Sequence, residues 1–195
     1  MSPHPLIAHI NKHVHLTEAQ VVTVLSHFQL QTFAKKEHLI QEGNICKNLF
    51  FVSKGCLRLY FMNEKGQEQT IQFALETWWM TDLMAFEKSG ESGFSIQALE
   101  KVEVMAITNE SLEKLLCEVP QLERYFRKVY QRAYSASLLR VKYLYTMSKD
   151  VFYEHFVSLY PEFVQRIPQK VLASFLGFSP EYLSELRKKK TIEKK

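Results

Sequence analysis

The sequence predicts an α+β protein in three parts: a barrel of short β-strands, a long connecting helix and a C-terminal helix-turn-helix. Three observations predict it. Between His38 and Ile107, short apolar or alternating runs recur at roughly eight- to twelve-residue spacing between turn signals, the pattern of a sandwich or barrel. After Pro120 the chain runs to about Ser148 without glycine or proline, as one long helix would. From Gln169 to Lys188, a helix-turn-helix finds the residue it needs at each demanding position.

Taken in order, Thr17-Glu18 followed by Ala19, Val21, Val22, Val24 and Leu25 predicts a capped, largely buried helix. From about Gln29 the period shortens toward two. The strand candidates are His38 to Ile40, Leu49 to Val52, Leu57 to Met62, Thr70 to Ala74, Phe94 to Leu99 and Val102 to Ile107. Turns fall at Glu42-Gly43-Asn44, Lys54-Gly55, Asn63-Glu64-Lys65-Gly66 and Ser89-Gly90-Glu91. Asn109 is then placed to cap a short helix carrying Leu112, Leu115 and Leu116.

On the long helix Leu122, Phe126, Val129, Ala133 and Ala136 recur at spacings of four and three, a narrow seam of coiled-coil type. Such a seam serves a two-fold dimer or packs on the barrel. Dimerisation suits a helix-turn-helix, which needs a partner to read two half-sites. Asp150 to Leu159 reads as a further helix with Phe152, Phe156 and Leu159 on one face, ended before Pro161. The expected units are 1–118 for the barrel, 119–148 for the connecting helix and 149–195 for the reading module.

Counting from Gln169, Ala173 is the small residue at the helix crossing, and Gly177 supplies the positive φ of the turn. Leu172, Leu176, Phe178, Leu183 and Leu186 fill the apolar positions. Ser179-Pro180-Glu181 opens the second helix as cap, first-turn proline and first-turn acid. The second helix of such a pair enters the DNA major groove. From Val164 onward, Lys and Arg exceed Glu by five, although the whole chain carries only +4, so the basic character lies in the reading end. Double-stranded DNA is the expected partner.

Other classes find no support. No stretch of eighteen apolar residues occurs, so no membrane span is expected, and the Met-Ser-Pro-His-Pro start lacks the pattern of a signal peptide. Cys46, Cys56 and Cys117 are scattered, without a CxxC pair, which fits reduced thiols in a cytoplasmic protein. No P-loop, nucleophile elbow or HExxH occurs, so neither catalytic nor metal-binding residues are assigned.

The order of barrel, long helix and helix-turn-helix resembles the Crp/Fnr family of bacterial transcription regulators, over about Thr17 to Lys190. Glu42-Gly43, Leu49 to Gly55 and Leu57 to Tyr60 resemble its early barrel strands, and Glu64 to Glu68 its hairpin. Ile167 to Lys170, Ala173 to Gly177 and Leu183-Ser184 are similar to a short-chain branch of the family. The resemblance implies a cyclic-nucleotide-binding-like domain, a cupin-like double-stranded β-helix barrel, over 1–118. It implies a cytoplasmic homodimer and, for an activator, contact with RNA polymerase.

That family holds its nucleotide in a cassette of Gly-Glu-Leu and Arg-Ser/Thr-Ala. A phosphodiester needs an arginine fork, and the ribose hydroxyl needs the glutamate. The matching residues here are Thr81, Asp82 and Leu83, then Ser92, Gly93 and Phe94. Asp82 could stand for the glutamate with a shorter reach. Nothing stands for the arginine, since no Arg lies between Arg58 and Arg124. The expectation is therefore a cyclic-nucleotide fold without ordinary cAMP binding, its pocket open to an unidentified small-molecule effector or filled by Trp78, Trp79 and Met80. No cofactor is assigned.

At the DNA end, the resemblance puts Pro180, Glu181, Ser184 and Glu185 at base edges with Tyr182 nearby. Gln169, Lys170, Ser179, Arg187, Lys188 and Lys189 fall within reach of phosphates. Glu185 departs from the family's usual arginine. The chain offers little length for a β-wing after Leu186, so a wing is reduced, formed around Val164 to Ile167, or absent. The expected function is sequence-specific transcription regulation of Crp/Fnr type. The alternative is a small-molecule or nucleotide-binding module whose helix-turn-helix no longer reads DNA.

Overall fold

The first two helices owe their starts to their caps. α1 (Pro5–Ile10) begins with proline at its first position, and its Leu6, Ile7 and Ile10 enter the core. α2 (Glu18–Ser26) has a complete capping box, with Gln20 N donating to Thr17 Oγ1 at 3.3 Å and Thr17 N to Gln20 Oε1 at 3.0 Å. The burial expected of α2 is not found. Val24 is its one fully buried residue and Val22 is 70% exposed, because a single stripe of the helix meets the barrel. The computed structural model describes the backbone of residues 4–193 and the side chains of residues 4–188.

Eight strands follow: β1 (Gln29–Phe33), β2 (His38–Ile40), β3 (Asn48–Lys54), β4 (Leu57–Met62), β5 (Glu68–Ala74), β6 (Trp79–Met80), β7 (Ser95–Ala98) and β8 (Val102–Thr108). They form two four-stranded antiparallel sheets, ordered β1-β8-β3-β6 and β2-β7-β4-β5. Leu57, Leu59, Ile96 and Ala98 point inward from the second sheet and meet Leu49, Val102 and Val104 of the first. Phe50 and Phe51 are both buried because β3 is covered on both faces. Gly55 turns the chain between β3 and β4 with φ +98°; a Cβ there would stand 2.6 Å from Lys101 O, so no other residue fits without movement.

α3 (Leu83–Lys88) links β6 to β7, and α4 (Asn109–Glu118) follows β8. Thr108, rather than Asn109, caps α4, taking Ser111 N at 3.2 Å; the Asn109 amide instead donates to Glu87 O. The long helix α5 (Leu122–Thr146) packs its first turns on the barrel. Tyr125, fully buried, is the joint: its hydroxyl accepts from Trp79 Nε1 at 2.7 Å and donates to His9 Nδ1 at 2.7 Å, tying α1, β6 and α5 together. Burial, with Lys12, His13 and Arg132 nearby, lowers the His9 pKa to about 4, which keeps its ring neutral and able to accept.

The C-terminal part comprises α6 (Lys149–Leu159), α7 (Pro161–Arg166), α8 (Gln169–Leu176) and α9 (Pro180–Glu193). Phe152, Tyr153 and Phe156 face inward on α6, whereas Leu159, expected beside them, is 53% exposed. These helices share a core with Cys56, Phe73, Leu75 and Leu99 of the barrel. The Phe73 ring lies 5.7 Å from Phe163 and 4.9 Å from Phe175. Val164 to Arg166 completes α7, with Ile167 the extended residue after it, so no wing forms there, and among the described residues no strand follows residue 108. No helix of the described residues is long and apolar enough to cross a membrane.

Candidate nucleic-acid interface and effector cassette

The helix-turn-helix is assembled by the residues that its spacing singled out. Leu172, Ala173, Leu176, Phe178, Leu183 and Leu186 are all buried. Gly177 ends α8 in the left-handed region at φ +74°, and Phe178 N returns to Ala173 O at 2.9 Å. Ser179 Oγ then accepts Tyr182 N at 3.2 Å and starts α9.

The polar residues expected at DNA divide into two groups. One group is engaged by the chain itself. Gln169 Nε2 donates to Pro180 O at 3.4 Å, bracing the start of α9. Tyr182 OH donates to Asp150, with Lys149 Nζ 5.2 Å from its ring centre. Arg187, expected at phosphate, is turned inward: Nε donates to Tyr153 OH and Nη2 to Val164 O, each at 3.2 Å. It clasps α9 to α6 and α7 instead.

The other group faces outward. Lys170, Glu181, Glu185 and Lys188 are exposed and Ser184 is half-exposed. Glu181, Ser184, Glu185 and Lys188 line one shallow surface of about 450 Å³ together with Gln169 and Pro180. The side chain of Lys189 lies outside the described residues.

The cassette residues Thr81, Asp82, Ser92, Gly93 and Phe94 do come together, but they bind one another. Asp82 is only 7% exposed. Its Oδ1 accepts Ala85 N at 3.2 Å, capping α3; its Oδ2 accepts Gly93 N at 3.0 Å and lies 3.2 Å from Ser92 Oγ. Thr81 Oγ1 donates to Asn48 O at 2.8 Å and lies 3.2 Å from Cys46 Sγ. The Phe94 ring leans on Phe61. Leu83 stands apart, 49% exposed. Arg58 is on the face of β4 opposite the core residues Leu57 and Leu59. There it pairs with Glu68 at 2.7 Å, holds Gln97 Oε1 from two nitrogens and covers the Tyr60 ring.

The seam expected over Leu122, Phe126, Val129, Ala133 and Ala136 splits in two. Leu122 and Phe126 are buried against the barrel of the same chain and Val129 is half-buried, while Ala133 and Ala136 are exposed. The aromatic wall of Trp79, Tyr125 and Phe126 takes the first turns, with Trp79 and Phe126 rings 5.2 Å apart. Past Tyr130 a different row stands free of the barrel: Tyr134, Leu138, Val141 and Tyr145, at 67%, 52%, 48% and 87% exposure. Its spacing of four, three and four keeps the coiled-coil period.

Sequence reasoning missed the contacts that hold the reading unit to the barrel. Arg166 donates to both oxygens of Glu76, at 2.9 and 2.8 Å, and to Glu100. Ser174 of α8 bonds edge strand β5 on both sides, accepting Thr70 N and donating to Glu68 O, each at 2.8 Å. Arg140 of α5 donates to Phe175 O and lies over its ring. These partners are far apart in the chain, and no local pattern announces them.

Residues 30–118 match the cyclic nucleotide-binding domain. Over 105 residues the chain is 30% identical to the transcriptional activator protein Anr of Pseudomonas protegens, a match spanning 50% of this chain and 39% of that protein. The chain is thus similar, over about half its length, to a transcriptional activator. The cAMP-activated global transcriptional regulator CRP of Salmonella typhimurium is 23% identical over 106 residues, 54% of this chain and 50% of that protein. The matches thus span half or less of these curated relatives. In fold, the c-di-GMP responsive global regulator CLP of Xanthomonas campestris superposes with a TM-score of 0.71 at 18% identity, covering 91% of this chain and 93% of that one. The likeness in fold therefore extends through the long helix and the C-terminal helices.

Proposed function

We propose that the protein is a sequence-specific DNA-binding transcription regulator that works as a homodimer in the cytoplasm and does not respond to cAMP. The observation that carries this reading is α9: its apolar side is fully buried in a helix-turn-helix core, and its other side presents an open polar face flanked by lysines. A major groove accepts such a helix, while Lys170 and Lys188 meet the phosphates on either side. The role is binding, not catalysis, and RNA polymerase is the further partner if the protein activates.

The dimer uses the exposed row Tyr134, Leu138, Val141 and Tyr145. A groove of about 640 Å³ between α3, α4 and α5 opens beside it and shares Tyr134. Parallel pairing of two such helices sets the reading helices about one turn of DNA apart. Residues 1–118 form the effector domain, 119–148 the connecting and dimerisation helix, and 149–195 the reading domain. Asp82 is already committed to Ala85, Ser92 and Gly93, and the cassette offers no guanidinium to a phosphodiester, which supports the absence of a cAMP response. Another effector would act by shifting the population in which the reading unit is docked on the barrel through Arg166 and Ser174.

The test is a titration of purified protein on a duplex selected from a random pool. The expected site is two-fold symmetric, with half-site centres about 10 base pairs apart and affinity that falls steeply with salt. A pool that yields no site, with binding confined to about 10⁻⁴ to 10⁻⁶ M at physiological salt, would favour a module that no longer reads DNA.

A further inference from the structure

The face of α9 that carries Arg187 is turned to the protein, not to solvent. Successive residues on a helix advance by about 100°, so Arg187 stands about 200° around from Glu185 and one turn beyond Leu183. Leu183 and Leu186 are buried, while Glu181, Glu185 and Lys188 are exposed. Arg187 itself is half-buried, and its guanidinium spans two neighbouring helices. Nε donates to Tyr153 OH on α6 and Nη2 to Val164 O on α7, each at 3.2 Å. Tyr153 is only 4% exposed. Val164 O is one of the last carbonyls of α7, which have no acceptor role within that helix, so the arginine caps α7 from outside.

We infer that Arg187 is a positioning residue for DNA reading: it fixes the tilt of α9 and touches no phosphate. This rests on the DNA-reading proposal above. The packing of Leu183 and Leu186 seats the helix, but apolar contact has no direction. Direction comes from two polar clasps onto α6. Tyr182 OH donates to Asp150 from the first turn of α9, and Arg187 donates to Tyr153 from the second. Five residues separate the clasps on α9, about 7.5 Å along its axis. A rod held at one point pivots, and a rod held at two keeps its angle.

The angle matters because base reading is geometrically narrow. A hydrogen bond to a base edge works over about 2.7–3.2 Å, so a displacement of about 1 Å in the groove removes it. Attraction to phosphates tolerates such a shift, because it acts over a Debye length of about 8 Å at physiological salt and carries no sequence information. Loss of Arg187 therefore weakens binding to the selected site and spares binding to unrelated DNA. The salt dependence of both is kept, because no phosphate contact is lost. Lysine is no substitute: it has the same charge but lacks the planar fork that spans Tyr153 OH and Val164 O.

The test compares the affinity of the full chain for its selected duplex and for an unrelated duplex of equal length, each across a salt series. The proteins are the wild type, Arg187→Met, Arg187→Lys and Tyr153→Phe. Arg187→Met should lose roughly 5- to 150-fold on the selected duplex, the range of one base contact, and less than about 2-fold on the unrelated one. Both salt slopes should match those of the wild type. Arg187→Lys should keep most of that loss. Tyr153→Phe removes one acceptor and keeps the buried ring, so it should lower the ratio of the two affinities by a smaller factor. Three results overturn the inference while leaving DNA reading intact. Equal weakening on both duplexes with a slope shallower by about 0.9, restored by lysine, would make Arg187 a phosphate contact. Equal weakening with unchanged slopes would make it a contributor to stability alone. No weakening would leave it without a part in binding. If the wild type selects no site at all, DNA reading fails, and this inference fails with it.

Discussion

Replacing Arg166 with methionine should loosen the reading unit from the barrel. Methionine keeps most of the aliphatic stem and removes a guanidinium that donates three times to Glu76 and Glu100. The Arg166 side chain is 25% exposed, Glu76 39% and Glu100 37%, so the cluster is neither a surface pair nor a dry one. A fully exposed pair contributes about 0–1 kcal/mol, whereas breaking a fully buried one costs about 3–5 kcal/mol. Water can rehydrate the two carboxylates, and the intermediate cost is about 2 kcal/mol. With a urea m-value of about 2 kcal/mol/M, the midpoint should fall by about 1 M.

Intrinsic fluorescence can follow the change, because Trp78 sits 6.1 Å from Phe163 of the reading unit. Changing Glu76 and Glu100 to glutamine in the Arg166→Met protein should recover part of the loss by removing like-charge repulsion. The pH dependence has a defined sign. Burial alone would raise the Glu76 pKa, but hydrogen bonds from Arg166 and Gly55 N outweigh it and leave it below the ordinary value. Its stabilisation is therefore present above the ordinary carboxylate pKa and is lost as pH falls through the lowered one. A midpoint for Arg166→Met within about 0.2 M of wild type would refute the idea that this cluster fastens the two parts together.

Three further outcomes follow from the same geometry. Tyr125→Phe removes the hydroxyl that serves both Trp79 and His9, stranding a buried donor and a partly buried acceptor, and should cost about 2–4 kcal/mol in urea unfolding; a loss below about 0.5 kcal/mol would show the joint to be dispensable. Leu138→Glu should yield monomers in light scattering while the unfolding midpoint of the subunit stays put, because Leu138 is 52% exposed within one chain; an undisturbed dimer would move the interface elsewhere. Calorimetry with cAMP and cGMP should show no tight binding, since loss of a desolvated charge-assisted partner costs about 2–5 kcal/mol; micromolar affinity abolished by Asp82→Ala would overturn the account of the cassette.

Most of the helix-turn-helix was legible because its demands are local. A small residue at Ala173, a positive φ at Gly177 and apolar spacing from Leu172 to Leu186 can be read from twenty consecutive residues, and the structure buries each apolar one. Strands β4 and β8 were visible for the same reason. Short elements were not: α1, α3 and β6 have only six, six and two residues, too few to display a period. The seam misled because periodicity reveals an apolar face without naming its partner. Phe126 turned to Trp79 of its own barrel, and the row left free starts two turns later at Tyr134. Arg187 misled in the same way, since position next to a reading helix does not say which way a guanidinium points. Partners such as Arg166 and Glu76, ninety residues apart, carry no sequence signal at all.

Genome-wide mapping of the DNA occupied by this protein in its own cells tests the central claim most directly. The account predicts discrete peaks that share one two-fold-symmetric sequence and lie upstream of transcription starts. Occupancy that is uniform along the chromosome, or peaks without a common sequence, would contradict it.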